Sequence, residues 1–161
     1  MNNKVISSLP QKYIISVIGE KHAGKTTTIK KAFHKLKDSG RITIDQTLIW
    51  GARKKGEPGD FHAIVDSVYG TTGILSSGDV TKQIFKDIKD NFIDKKKCNI
   101  ILCACRKDGP KTYSAIAEIA WRYNYTILWV DLTTFPKGSE EQNDHTNQKA
   151  EEITELFPII Q

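Results

Sequence analysis

The chain has 161 residues, of which 39% are hydrophobic and 27% charged, and its formal net charge is +5. That balance is the one of a globular domain and excludes collagen-like, low-complexity and disulfide-stapled chains. No apolar run approaches the roughly 20 residues that span a bilayer, and residues 1–13 show neither a long apolar stretch nor a small-residue cleavage site. The expectation is one domain over residues 1–161, located in the cytoplasm and away from membranes.

Apolar runs with strand character alternate with stretches of helical period. Residues 13–18 read as a short buried strand, and residues 25–37 as a helix with Ile29, Ala32, Phe33 and Leu36 on one face. Ser39 and Gly40 close that helix. Residues 41–50 read as a second strand, and 51–60 as a loop rich in Gly, Pro and basic residues. Residues 61–69 and 71–77 form two strands about Gly70.

A helix is predicted over 79–94, with Val80, Ile84, Ile88 and Phe92 at four-residue steps. Residues 99–105 are the most apolar strand, 112–124 a further helix, and 125–130 a last buried strand. A polar, weakly amphipathic helix over about 140–157 ends at Pro158. Strands separated by helices imply an α/β fold with a mostly parallel sheet and helices on both faces. The 61–77 pair suggests an antiparallel addition at a sheet edge or over the site.

Cys98, Cys103 and Cys105 are odd in number and share one apolar segment. A Cys-x-Cys pair without a second pair does not close a tetrahedral metal site, so the three read as buried small hydrophobes. Trp50, Trp121 and Trp129 are expected in the core, with base stacking the alternative for Trp50. Charge is uneven. From Glu140 onward six acids face Lys149 alone, leaving about −5 there and about +10 in the rest. A basic body suits polyanions, nucleotides or nucleic acid among them.

The segment Gly19-Glu20-Lys21-His22-Ala23-Gly24-Lys25-Thr26 has the spacing Gly-x4-Gly-Lys-Ser/Thr, directly between the first strand and the first helix. In that context backbone N–H groups converge on a phosphate, and the helix aims its positive end at the same place. Lys25 is assigned to the β- and γ-phosphates and Thr26 to Mg²⁺, with Thr27 completing the binding segment. Lys21 and His22 contribute backbone, their side chains facing solvent.

On these eight residues the chain resembles the P-loop NTPase superfamily, whose Walker A motif this is. The alternation of strands and helices extends the likeness to architecture. The resemblance implies a three-layer fold, Mg²⁺ and a nucleoside triphosphate as cofactors, and a kinase-like rather than GTPase-like branch. It also implies sheet order 2-3-1-4-5, which sets the third parallel strand beside the first. The guanine-holding Asn/Thr-Lys-x-Asp pattern is absent, so ATP is expected over GTP.

Such enzymes add an Asp at a strand end beside the loop. The implied order favours Asp79, which serves as well as a helix N-cap. Asp131 has the better local pattern but is expected far from the metal, and Asp45 is a third position that can instead hold an acceptor. The hydroxyls of Ser76 and Ser77 can bind phosphate or simply relieve crowding. Arg106 opens the loop after the most apolar strand and is the candidate for neutralising a transferring phosphoryl group, with Lys107 and Lys111 behind it.

The functional expectation is a small ATP-dependent kinase acting on a nucleotide or other small anionic acceptor, bound by the basic loops at 53–55 and 106–111. The alternatives are an ATPase or switch-like subunit docking a protein through 61–77 or the acidic 140–157 helix, and a non-catalytic nucleotide sensor.

Overall fold

The computed structural model describes residues 11–44, 62–76, 81–109 and 112–161. Strand β1 (Tyr13–Gly19) leads into helix α1 (Lys25–Asp38). A two-residue strand β2 (Ile42–Thr43) comes next, then a hairpin of β3 (His62–Ser67) and β4 (Gly70–Leu75). Helix α2 (Thr81–Asp87) runs on as a π-helical segment, Ile88–Lys95. β5 (Ile100–Arg106), α3 (Tyr113–Tyr123), β6 (Thr126–Asp131) and α4 (Glu140–Glu155) complete the order.

The six strands form one mixed sheet in the order β2-β3-β4-β5-β1-β6. β4, β5, β1 and β6 run parallel, while β3 is antiparallel to both β2 and β4. The expected antiparallel addition is therefore present at one edge, but β4 itself belongs to the parallel set.

The expected strand order, 2-3-1-4-5, is not the observed one. β5 lies between β4 and β1, and β6 sits directly against β1. The physical reason is burial. Every residue of β5 except Arg106 is buried, so its apolar side chains are covered on both faces only near the sheet centre. β6 takes the open edge, and of its six residues only Val130 is buried, contrary to the buried strand expected there. Trp121 on α3 is 83% exposed and Trp129 on β6 44% exposed, so neither is a core tryptophan. Trp50 lies outside the described residues.

Period-two alternation divides the core. Ile15, Val17, Ile100, Leu102 and Ala104 face Ile29, Ala32, Phe33 and Leu36 of α1 and Ala150 and Ile153 of α4. Ile14, Ile101, Cys103 and Cys105 face Ile84, Ile88 and Phe92 and the Ala115–Ile116–Ile119–Ala120 side of α3. Helices thus cover both sheet faces. The four-residue steps Ile84, Ile88 and Phe92 overshoot an α-helical turn of about 3.6 residues. Widening to π geometry from Ile88 returns Phe92 to the buried face.

Candidate functional site

Because β4, β5, β1 and β6 are parallel, their carboxyl ends share one edge of the sheet, the edge where open α/β sheets bind ligands. Loop 19–26 leaves β1 there, beside Ser76 after β4, residues 106–109 after β5, and Asp131 at the end of β6.

Gly24 caps α1 in the left-handed region, with φ of 97°. A Cβ on it would lie 2.9 Å from Cγ2 of Thr146. Position 24 therefore admits only glycine without strain, for its backbone angle and for the close approach of α4. Its carbonyl accepts from both the N–H and the hydroxyl of Thr28, at 2.9 and 2.8 Å, which ties the loop to the first turn of the helix. Lys25 is buried, and its Nζ donates to the Glu20 carbonyl at 2.8 Å. The ammonium thus folds back across its own loop. Lys21 and His22 are exposed, as expected, and the Glu20 carboxylate accepts from the Thr134 hydroxyl at 3.3 Å. Ala23 is fully buried beneath the loop, and Thr27 is exposed on α1.

Thr26 Oγ1 donates to the Ser76 carbonyl at 3.4 Å. A hydroxyl oxygen is a hard donor of the kind that Mg²⁺ takes. Mg²⁺ binds through few protein oxygens and keeps several waters, so Thr26 together with phosphate oxygens fits it. Among the described residues no group of three His, Cys, Asp or Glu side chains forms a metal cage. Ser76 meets Thr26 through its carbonyl oxygen, whereas the sequence points to its hydroxyl, as a phosphate ligand or a small group that relieves crowding.

The reason for preferring Asp79 over Asp131 does not survive the observed order. β4 is two places from β1, while β6 is adjacent, with Asp131 in register with Ile18. Asp131 is nonetheless engaged elsewhere, its carboxylate 2.8 Å from Lys107 Nζ. That contact raises the Lys107 ammonium above its ordinary value. The Thr26–Ser76 contact brings the end of β4 to the loop even so. Asp79 itself lies outside the described residues, as do Asp45, Arg53, Lys54, Lys55, Ser77 and Lys111.

Arg106 is mostly buried, its side chain 13% exposed, and its Nε donates to Asp108 Oδ1 at 3.3 Å. The same Oδ1 accepts from the Lys21 backbone N–H at 3.1 Å. The Arg106 guanidinium, with help from that N–H, holds the Asp108 carboxyl below its ordinary value. Beside it the Lys107 N–H donates to the Gly19 carbonyl at 3.2 Å. Residues 106–108 are thereby fastened along 19–21.

Helix α4 supports the loop from the other side. Gln142 Nε2 donates to the His22 carbonyl and its Oε1 accepts from the Gly138 N–H, both at 2.9 Å. Lys31 of α1 donates to Asn143 Oδ1 at 3.0 Å and Thr146 Oγ1 at 2.9 Å. Burial, and then the neighbouring Lys35, lower the Lys31 ammonium below its ordinary value. Between the two helices opens a cleft of about 300 Å³, lined by Thr27, Lys31, Gly138, Ser139, Gln142 and Asn143.

Sequence reasoning did not find Asp108, Gln142 or Thr146. Asp108 sits in a charged loop whose pattern is that of any solvated turn. The α4 contact had a faint signal: Thr146, Ala150, Ile153 and Phe157 recur on one face and are all buried. The three cysteines are fully buried as expected. Burial raises their thiols, that of Cys98 to about 12 and that of Cys105 to about 11. They are poor ligands and poor nucleophiles. Among the described residues no helix is long and apolar enough to cross a membrane. Comparison with protein-family models, with curated proteins and with solved structures finds no match.

Proposed function

We propose that this chain is a P-loop nucleotide-binding protein that holds the phosphates of Mg-ATP on residues 19–26. One observation carries the reading: a strand-to-helix loop with Gly24 at φ 97° and the buried Lys25 ammonium folded back on the Glu20 carbonyl, 2.8 Å away. A loop of this shape presents backbone N–H groups and a cation to one anion, and α1 adds the positive end of its dipole. Lys25 then exchanges the Glu20 carbonyl for β- and γ-phosphate oxygens, a stronger, charge-assisted partner. Thr26 and, three residues beyond the Ser76 that Thr26 contacts, Asp79 would hold the metal, which would supply neutralisation of charge developing on the phosphates. The ribose and base extend past Thr27 into the cleft between α1 and α4.

The terminal phosphate has two fates to be separated. Transfer to a small anionic acceptor was preferred partly on a kinase-like strand order, and β5 inserted between β1 and β4 removes that ground. Only Arg106 supplies an arginine to the described 106–109 loop. The balance therefore moves towards ATP hydrolysis or nucleotide-driven switching, with the exposed acids of α4 as a surface for a protein partner.

The test is direct. Mg-ATP binds the wild-type protein, and Lys25→Ala lowers affinity at least about 100-fold; equal affinity in the variant overturns the proposal. Incubation with Mg-ATP and a panel of nucleotides, beside a background hydrolysis assay, assigns the fate. A phosphorylated acceptor restores the kinase reading, whereas phosphate release alone supports the hydrolase.

A further inference from the structure

We propose that Asp108 is a resident competitor for the terminal phosphate, which makes the site respond to a triphosphate by expelling Asp108 and transferring Arg106 from its carboxylate to the phosphate. The inference rests on the nucleotide-binding reading above and deepens it. A carboxylate already occupies the loop as an anion would: Asp108 Oδ1 accepts from the Lys21 N–H at 3.1 Å. Lys21 directly follows Glu20, whose carbonyl receives the Lys25 ammonium at 2.8 Å. The donor held by Asp108 and the carbonyl that holds the Lys25 ammonium thus belong to neighbouring residues of one loop.

The same carboxylate oxygen holds Arg106 Nε at 3.3 Å. Arg106 is therefore neutralised by Asp108 while Asp108 sits on the loop. A phosphate arriving at Lys21 and Lys25 competes for the N–H and repels the carboxylate, since two anions cannot share one donor at close range. Once Asp108 leaves, the mostly buried guanidinium pairs with the phosphate at the rim. Gly109 gives this arrangement its geometry. It has φ of 56°, and a Cβ there would come within 2.7 Å of Arg106 Nη2, so the turn lets the guanidinium lie over the loop. Lys107 remains as the fixed point, with its N–H on the Gly19 carbonyl and its ammonium on Asp131. Residues 106–108 need only a local side-chain exchange.

A diphosphate, lacking the terminal group, does not meet Asp108 in the same way. Asp108 is thus a positioning residue that sets discrimination between triphosphate and diphosphate. The side chain is 44% exposed, so its replacement leaves the fold intact, as a thermal melt checks.

The experiment measures ATP and ADP affinity by calorimetry, with Mg²⁺, for wild type, Asp108→Ala, Asp108→Asn, Arg106→Gln, the Arg106→Gln/Asp108→Ala double variant and Lys25→Ala. Asp108→Ala is expected to tighten ATP about tenfold and leave ADP within about twofold, the scale of one charge-assisted contact. Asp108→Asn keeps an acceptor but drops the charge and falls between. Arg106→Gln is expected to cost more in the Asp108→Ala background than in wild type, because there Arg106 has no carboxylate to give up. If Asp108→Ala leaves ATP affinity unchanged or weaker while Lys25→Ala abolishes it, the competitor is overturned and nucleotide binding stands. Equal tightening of ATP and ADP overturns it as well, reducing Asp108 to general negative charge. Absence of ATP binding to every protein in the series removes both readings together.

Discussion

Thr26 Oγ1 and the Ser76 carbonyl oxygen lie 3.4 Å apart, across a sheet in which β5 intervenes between the strands β4 and β1 that lead to them. A strand two places away therefore still reaches the first turn of α1. This relationship, not strand adjacency, ties the end of β4 to the metal side of the proposed site. Thr26→Ala is expected to remove the Mg²⁺ dependence of ATP binding, weakening Mg-ATP about tenfold towards the affinity in chelator. Thr26→Ser keeps the hydroxyl and retains the dependence. The check is ATP titration with and without Mg²⁺ for the three proteins. An alanine variant with the wild-type response to Mg²⁺ contradicts the assignment.

Gly24 and Thr146 give a second expectation. Gly24→Ala meets two penalties, a left-handed backbone angle and a methyl contact at 2.9 Å. Together they are expected to cost about 2 kcal/mol of stability. Thr146→Ser removes the Cγ2 and leaves the backbone angle. The double variant should therefore recover part, not all, of the loss in chemical denaturation. Full recovery means that packing alone enforces this glycine.

On the opposite face, Gly73 lies against the Phe92 ring, where an added Cβ would sit 2.6 Å from ring carbon Cγ. Gly73→Ala is expected to destabilise by about 1–3 kcal/mol through overpacking. Phe92→Ala is expected to cost about 3–5 kcal/mol through the cavity it leaves. In the double variant the new methyl occupies part of that cavity, so the combined loss is smaller than the sum. Additive losses in a denaturation cycle contradict this packing.

His62, at the start of β3, is buried and stacks edge-on against Phe92 with centroids 5.6 Å apart. Burial lowers its imidazole from 6.5 to about 4. Between those values the unfolded chain binds a proton that the folded one refuses, so stability rises with pH. The contribution is fully present above about 6.5 and is lost as pH falls towards 4. His145 adds to the same trend: burial lowers it, and its Nε2 accepts from the Thr133 N–H only while neutral. His62→Phe is expected to flatten the fall in urea midpoint between pH 7 and pH 4.5. An unaltered slope in that variant contradicts the assignment to His62.

Residues 13–18 and 25–37 were legible as strand and helix because each has a strong local period, and the structure gives Tyr13–Gly19 and Lys25–Asp38. Gly24 was legible as a loop position for the same reason, since its spacing from Gly19 and Lys25 is itself the signal. The hairpin appeared as two strand runs, although the turn falls at Val68 and Tyr69 and Gly70 opens β4. The helix expected over 79–94 is observed as Thr81–Asp87 running on through Ile88–Lys95, and only the change to π geometry was not read from the sequence.

What the sequence by itself determined is the local order: an alternation of strands and helices, a glycine-bounded loop between the first of each, and three buried cysteines. Those follow from periodicity, backbone steric demands and apolarity, all of which act over a few neighbouring residues. Only the tertiary structure decided that β5 separates β4 from β1, that β6 is an exposed edge, and that Asp108 and α4 close on the loop. These depend on which apolar faces are covered best when all elements compete for the sheet centre. No local pattern encodes that competition, and so the partners of residues 19–26 came from chain segments 50 to 120 positions away.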